Sequence, residues 1–314
     1  MSDQDTGFRQ LGVLLPFLLV TLIWGSTWIV IRDQLGPVPP AWSIAYRFAI
    51  AATAMFAYSA ATGISLNIGR NGHALALMFG LSQFFLNFNF VYLAEHHITS
   101  GLVAVVFALL LVPNSALGWL FLRHRTTGRF LAGSAVAVVG VALLFIHEMR
   151  GSNAASSEVV LGIGLTILGV LSASAANVMQ ASESLRRRPI AAMLAWGMTY
   201  GVIANVVTAW LFYGPPSIEY RLGYWVGLLY LGLLASALAF TFYFSLIRKI
   251  GPAKAAYSSV LVPVIAMTLS TLFEGYRWST LAAAGGLLAL AGLVIALRAG
   301  KTIQVAERPD LKPD

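Results

Sequence analysis

The stretch "ALLLVPNSALGWLF" (Ala108–Phe121) sets a proline inside an otherwise unbroken apolar run, and "SVLVPVIAMTLSTLF" (Ser259–Phe273) repeats Leu-Val-Pro in a like setting. A proline in a helix interior removes a backbone donor and clashes with the carbonyl four residues back, a cost of about 3 kcal/mol. Two such breakers in matching runs point to a duplicated unit. Aligning Leu111-Val112-Pro113 on Leu261-Val262-Pro263 also aligns Gly133 and Gly140 with Gly285 and Gly292, to within a two-residue loop change.

Around these runs the chain of 314 residues is 58% hydrophobic and 10% charged, with a mean hydropathy of +0.79. Soluble domains carry about 25% charged residues, so the expected fold is an all-α membrane protein. Ten apolar spans are expected, at about 11–31, 41–62, 74–94, 100–122 and 130–146, then 159–181, 191–213, 224–247, 255–273 and 280–297. The linkers between them are short, which predicts that consecutive helices are antiparallel neighbours. The first span is too long and its flank too weakly basic for a cleaved leader. The absence of cysteine excludes disulfides, thiolate metal sites and cysteine nucleophiles.

The net charge of +8 is a topology signal. One set of loops and both tails hold Arg9, Arg70, Arg123, Arg125, Arg129, Arg186, Arg187, Arg188, Arg248, Lys249, Lys254, Arg298, Lys301, Arg308 and Lys312. The other side holds Arg32, Arg47, Arg150, Arg221 and Arg277, with Arg47 counted at the nearer end of its span. That bias places both termini in the cytoplasm and argues against a nucleic-acid partner. Five crossings separate the two copies, so the second enters from the opposite side. The expected organisation is a cytoplasmic tail (1–10), a first five-helix repeat (11–147), an external linker (148–158), an inverted second repeat (159–298) and a cytoplasmic tail (299–314). Inverted repeats place a substrate site near mid-membrane, in a central cavity at their interface.

"IWGSTW" (Ile23–Trp28), "YRF" (Tyr46–Phe48) and "FSLIRKIGPAKAAYSSVLVPVIAMTLSTLFEG" (Phe244–Gly275), set in two five-helix halves, resemble the drug/metabolite transporter superfamily in its ten-helix EamA branch. Within that branch the chain is similar to YddG-type exporters of aromatic amino acids. The resemblance implies a secondary transporter and the direction of export. One departure is His124, or a neighbour, where many relatives place a glutamate; any role of that acid then falls to Glu274.

Asp33, Glu95, Glu148, Glu158, Glu183, Glu219 and Glu274 all fall at helix ends or in loops, as do His73, His96, His97, His124 and His147. Transport without a dedicated buried proton site is therefore expected. "EHH" (Glu95–His97) reads as polar loop. With no zinc spacing and no phosphate-binding loop, no metal, cofactor or catalytic residue is expected.

Uncharged polar and aromatic residues remain as candidates for substrate binding. Gln83 and Asn87 share a helix face, as do Ser174, Asn177 and Gln180. Trp24 and Trp28 share another; Tyr243 and Tyr257 flank a cytoplasmic loop. A cavity lined by amides, hydroxyls and rings suits a zwitterionic or neutral solute with an apolar side chain. The bland alternatives are interhelical hydrogen bonding for the amides and interfacial anchoring for Trp28, Trp42 and Trp210. The glycine rows 133/140 and 285/292 read as close-packing faces outside the cavity. Pro113 and Pro263 are expected to free the carbonyls of Leu109 and Ser259, as helix pivots or as static kinks.

The expectation is a monomeric, multi-pass exporter of amino acids, aromatic or hydrophobic ones first, in a bacterial inner membrane, in contact with lipid. The alternatives are export of another small metabolite (threonine or homoserine, a nucleobase, a drug-like compound) and, in a different class, a membrane-embedded lipid-modifying enzyme. The enzyme would need converging nucleophile or metal residues.

Overall fold

The computed structural model describes residues 11–122, 127–151, 156–250 and 258–298, all helix and loop. Among the described residues seven helices are long and apolar enough to cross a membrane, and three shorter apolar helices accompany them. Helices satisfy their own backbone groups, as a lipid surround requires. The outer surface is apolar: Leu120, Phe121, Leu211, Phe212, Leu272 and Phe273 are exposed, whereas Arg47, Gln83, Asn87, Glu95 and Asn205 are buried. Apolar outside with polar groups inside makes this a multi-pass membrane protein.

The first half holds α1 (Leu11–Gln34), α2 (Pro40–Ala61), α3 (Gly69–Ala94), α4 (Ser100–Ala108), α5 (Leu111–Leu122) and α6 (Gly128–Gly151). The second holds α7 (Ser156–Ala181), α8 (Ile190–Tyr213), α9 (Leu222–Leu246, its last turn reaching Ile250), α10 (Ser258–Phe273) and α11 (Thr280–Arg298). Pro40 opens α2, where its missing donor costs nothing. α8 ends at Gly214, whose φ of 82° only glycine adopts without strain.

The short linkers do not make consecutive helices the main partners. The tightest pairings cross the halves: α6 with α11, α2 with α8, α3 with α7 and with α8, and α1 with α9 and with α10. Small residues decide this, because they set where backbones approach. A Cβ on Gly140 would lie 2.3 Å from the Ala289 nitrogen, and one on Gly292 would lie 2.2 Å from the Ala137 nitrogen. The glycine rows are thus a close-packing face between α6 and α11. At the α3–α8 crossing, a Cβ on Gly80 would lie 2.2 Å from the Gly197 carbonyl oxygen.

The two prolines are not equivalent. Pro263 lies inside α10. Pro113 is the third residue of α5, past a break at Leu109–Leu110. There the Leu109 carbonyl is not freed: it accepts the Val112 N–H at 2.8 Å. A proline in a first turn gives up a donor the helix would not have used, so the chain breaks before Pro113 and restarts with it.

Two further features left no sequence signal. α3 passes through a π-helical turn at Leu81–Leu86, and α9 through a longer one at Tyr230–Leu238. Such widened turns re-aim side chains and recur at functional sites.

Candidate functional site

A central cavity of about 130 Å³ lies among α1, α2, α3, α4, α7, α9 and α10. Its size suits one small solute rather than a lipid or a peptide. Trp24, Thr27, Trp28 and Ile31 line it from one face of α1, at the three- and four-residue spacing that stacks side chains on a helix. Gln83 and Asn87 line it from the π-helical turn of α3 and the residue after it. Asn177, Tyr243 and Pro263 complete the set of expected residues that reach it.

Ser174 and Gln180 do not line the cavity. Ser174 is fully buried elsewhere, and Gln180 is half-buried. Tyr257 and His124 lie outside the described residues. Pro113 is not in the wall.

Aromatic rings form most of the apolar surface. Trp24 packs on Phe240 and Tyr243 at ring distances of 5.3 and 4.8 Å, and its Nε1 donates to the Ala235 carbonyl at 3.1 Å. Trp28 is 8% exposed and lies 5.4 Å from the Phe107 ring, so it is a wall residue rather than an interfacial anchor. Trp42 is also buried, while Trp210 is exposed as an anchor would be. Other polar pairs join helices: Asn89 Nδ2 donates to Asn205 Oδ1 at 2.6 Å, and Asn205 donates to the Phe84 and Gly201 carbonyls. They belong to the α3–α8 contact and not to the cavity.

The residue that sequence reading misplaced is Arg47. It sits in the second turn of α2, is 2% exposed and lines the cavity. Its Nε donates to Ser236 Oγ at 3.0 Å, and its guanidinium lies 4.4 Å from the centre of the Phe88 ring and 5.3 Å from that of Phe48. Ser236 in turn donates to the Leu231 carbonyl five residues back, the spacing of the π-helical turn. Counting Arg47 at the nearer end of its span missed that its side chain points into the bundle. The signal was present as an arginine inside an apolar run.

A second charged cluster lies one turn beyond the cavity, where α1, α3, α4 and α10 meet. Glu274 accepts hydrogen bonds from Ser100 Oγ at 2.6 Å and Ser100 N–H at 3.4 Å, and its carboxylate is 3.8 Å from Arg32 Nε. Glu95, just past the end of α3, is fully buried, and neither carboxylate oxygen has a hydrogen-bond partner among the described residues. Burial first, then the nearby Glu274, pushes the Glu95 carboxyl well above the usual carboxylate range, against Arg32 and Arg47. Its helix-end position was read correctly; its burial was not. His97 instead pairs with Glu158 at the surface. Among the described residues no group of histidines and acids could hold a metal ion.

The sequence profile of the EamA-like transporter family matches the chain twice, over residues 10–146 and 160–298. The chain belongs to the EamA-like transporter family. It is a transporter and not an enzyme. It is 27% identical over 308 residues to an Escherichia coli protein named a probable amino-acid metabolite efflux pump, covering 95% of this chain and 99% of that one. It is 30% identical over 273 residues to the uncharacterized inner membrane transporter YedA of Escherichia coli, covering 85% of each. A solved crystal structure superposes with a TM-score of 0.68 over 90% of this EamA-like chain and 95% of the other at 19% identity, a likeness of fold.

Proposed function

We propose that this EamA-like transporter exports amino acids with apolar side chains, aromatic ones first, across the bacterial inner membrane by alternating access. The observation that carries the reading is the cavity wall. Trp24, Trp28, Phe107, Phe240 and Tyr243 offer rings, Gln83, Asn87 and Asn177 offer amides, and no carboxylate or histidine lines it among the described residues. Such a wall favours a zwitterion with an apolar side chain and gives a cationic drug no counter-charge. The amino-acid efflux pump named above supports the class.

Ten spans in two inverted five-helix halves, about 11–147 and 159–298, with a linker between and both termini in the cytoplasm, are part of this reading. The two successive family matches support it. So do the pairing of helices across the halves and the two π-helical turns at corresponding places, in α3 and α9. One chain supplies both halves, so the transporter works as a monomer in the lipid bilayer, with no nucleic-acid partner. With no acid among the described residues of the cavity wall, transport runs down the substrate's own gradient or by exchange.

Proteoliposomes loaded with labelled phenylalanine or tryptophan test this. Saturable efflux that survives a protonophore is expected. Efflux of threonine, homoserine or a nucleobase in place of every apolar amino acid would move the reading to those solutes, and efflux of none would end it.

A further inference from the structure

We infer that Arg47 is the anchor for a carboxylate on the transported molecule, with Asn87 placed to receive its ammonium group. The inference rests on the proposed amino-acid transport and narrows it to particular atoms. Arg47 is buried, faces the cavity and is held from behind by Ser236 and the ring of Phe88. Those contacts fix the guanidinium without neutralising it. Among the described residues no carboxylate lies within 4.0 Å of it, and its Nη1 donates to nothing.

The buried acid that acts on Arg47 is Glu95, which makes no hydrogen bond to it and lies beyond 4.0 Å. A buried cation without a paired anion costs several kcal/mol, and a residue kept only to join α2 to α9 would be cheaper as a neutral one. An anion that comes and goes accounts for the open donor. The planar guanidinium matches a carboxylate through two parallel N–H bonds. Two more polar atoms in the same wall have no partner among the described residues: Trp28 Nε1, a donor, and Asn87 Oδ1, an acceptor. Two donors and one acceptor, each buried without a partner on a residue of one cavity wall, match the carboxylate and ammonium of an amino acid. Trp24, Phe240 and Tyr243 are left for its side chain.

The experiment measures binding of four ligands to the purified full-length protein by calorimetry: phenylalanine, phenylalaninamide, phenethylamine and 3-phenylpropionate. Losing one charge-assisted contact lowers affinity about ten- to a hundredfold. Phenylalaninamide and phenethylamine are therefore expected to bind at least tenfold more weakly than phenylalanine, and Arg47→Gln is expected to abolish that difference. The ligand comparison on the wild-type protein stands even where Arg47→Gln fails to fold. Equal binding of phenylalanine and its amide overturns the anchor and leaves amino-acid transport standing. Arg47-dependent binding of 3-phenylpropionate alone keeps the anchor and overturns the amino-acid reading. Binding of none of the four overturns both.

Discussion

Ser236 Oγ accepts the Arg47 Nε hydrogen bond at 3.0 Å while donating its own O–H to the Leu231 carbonyl at 2.8 Å. A buried cation on α2 is thus oriented by a widened turn on α9, so its position depends on that turn staying widened. Ser236→Ala removes the acceptor and leaves the charge. A hydrogen bond to a charged group contributes about 1.5 to 3 kcal/mol, so KM for an apolar amino acid should rise tenfold or more while kcat holds. Ser236→Thr should restore KM. Equal loss of kcat in the alanine variant would show that the pair supports the fold rather than the position of Arg47.

The prolines should separate. Pro263 lies inside α10 and lines the cavity, so Pro263→Ala is expected to slow efflux more than it weakens binding. Pro113 sits in the first turn of α5 beyond an existing break. Pro113→Ala should leave both rates and melting temperature nearly unchanged. Flux assays beside thermal melts in detergent decide it; equal slowing by the two substitutions would restore their equivalence.

Gly140 and Gly292 have no room for a side chain against the opposing backbone, whereas a Cβ on Gly118 meets nothing within 4 Å. Overpacking a close contact costs about 1 to 3 kcal/mol. Gly140→Ala and Gly292→Ala should each lower the melting temperature, and Gly118→Ala should not. A silent Gly140→Ala would mean that α6 and α11 part easily.

Glu95 gives a pH dependence with a definite sign. Its folded-state pKa is raised, while an unfolded glutamate titrates near about 4.3. Below that value both states are protonated. Above it the unfolded state ionises first, so stability falls as pH rises towards the folded-state value. Glu95→Gln cannot ionise, so its melting temperature relative to wild type should climb as pH rises above about 4.3. A difference that stays flat across that range would place a neutralising partner beside Glu95.

Much of the cavity was legible because a membrane interior makes polarity conspicuous. Gln83, Asn87 and Asn177 stand out in apolar helices, and Trp24 with Trp28 shows its shared face by spacing alone. Arg47 was lost because topology counting assigns charges to loops, and an arginine seven residues from a span edge can point either way. Phe107 and Phe240 were not separable from other phenylalanines in equally apolar helices. Ser174 and Gln180 share a helix with Asn177, yet a helix shows the cavity only a narrow stripe. Helix adjacency was misread because loop length limits how far a neighbour can be, while glycine contacts such as Gly140 on Ala289 choose the neighbour.

The α6–α11 contact sets an order on assembly. α6 ends at Gly151, and its closest partner, α11, starts only at Thr280. During synthesis α6 must therefore wait in the bilayer, its glycine stripe facing lipid, until almost the whole chain has been made. The tightest joint among the described residues is the last of them that can close, and a chain truncated before α11 would leave that stripe open to other helices in the membrane.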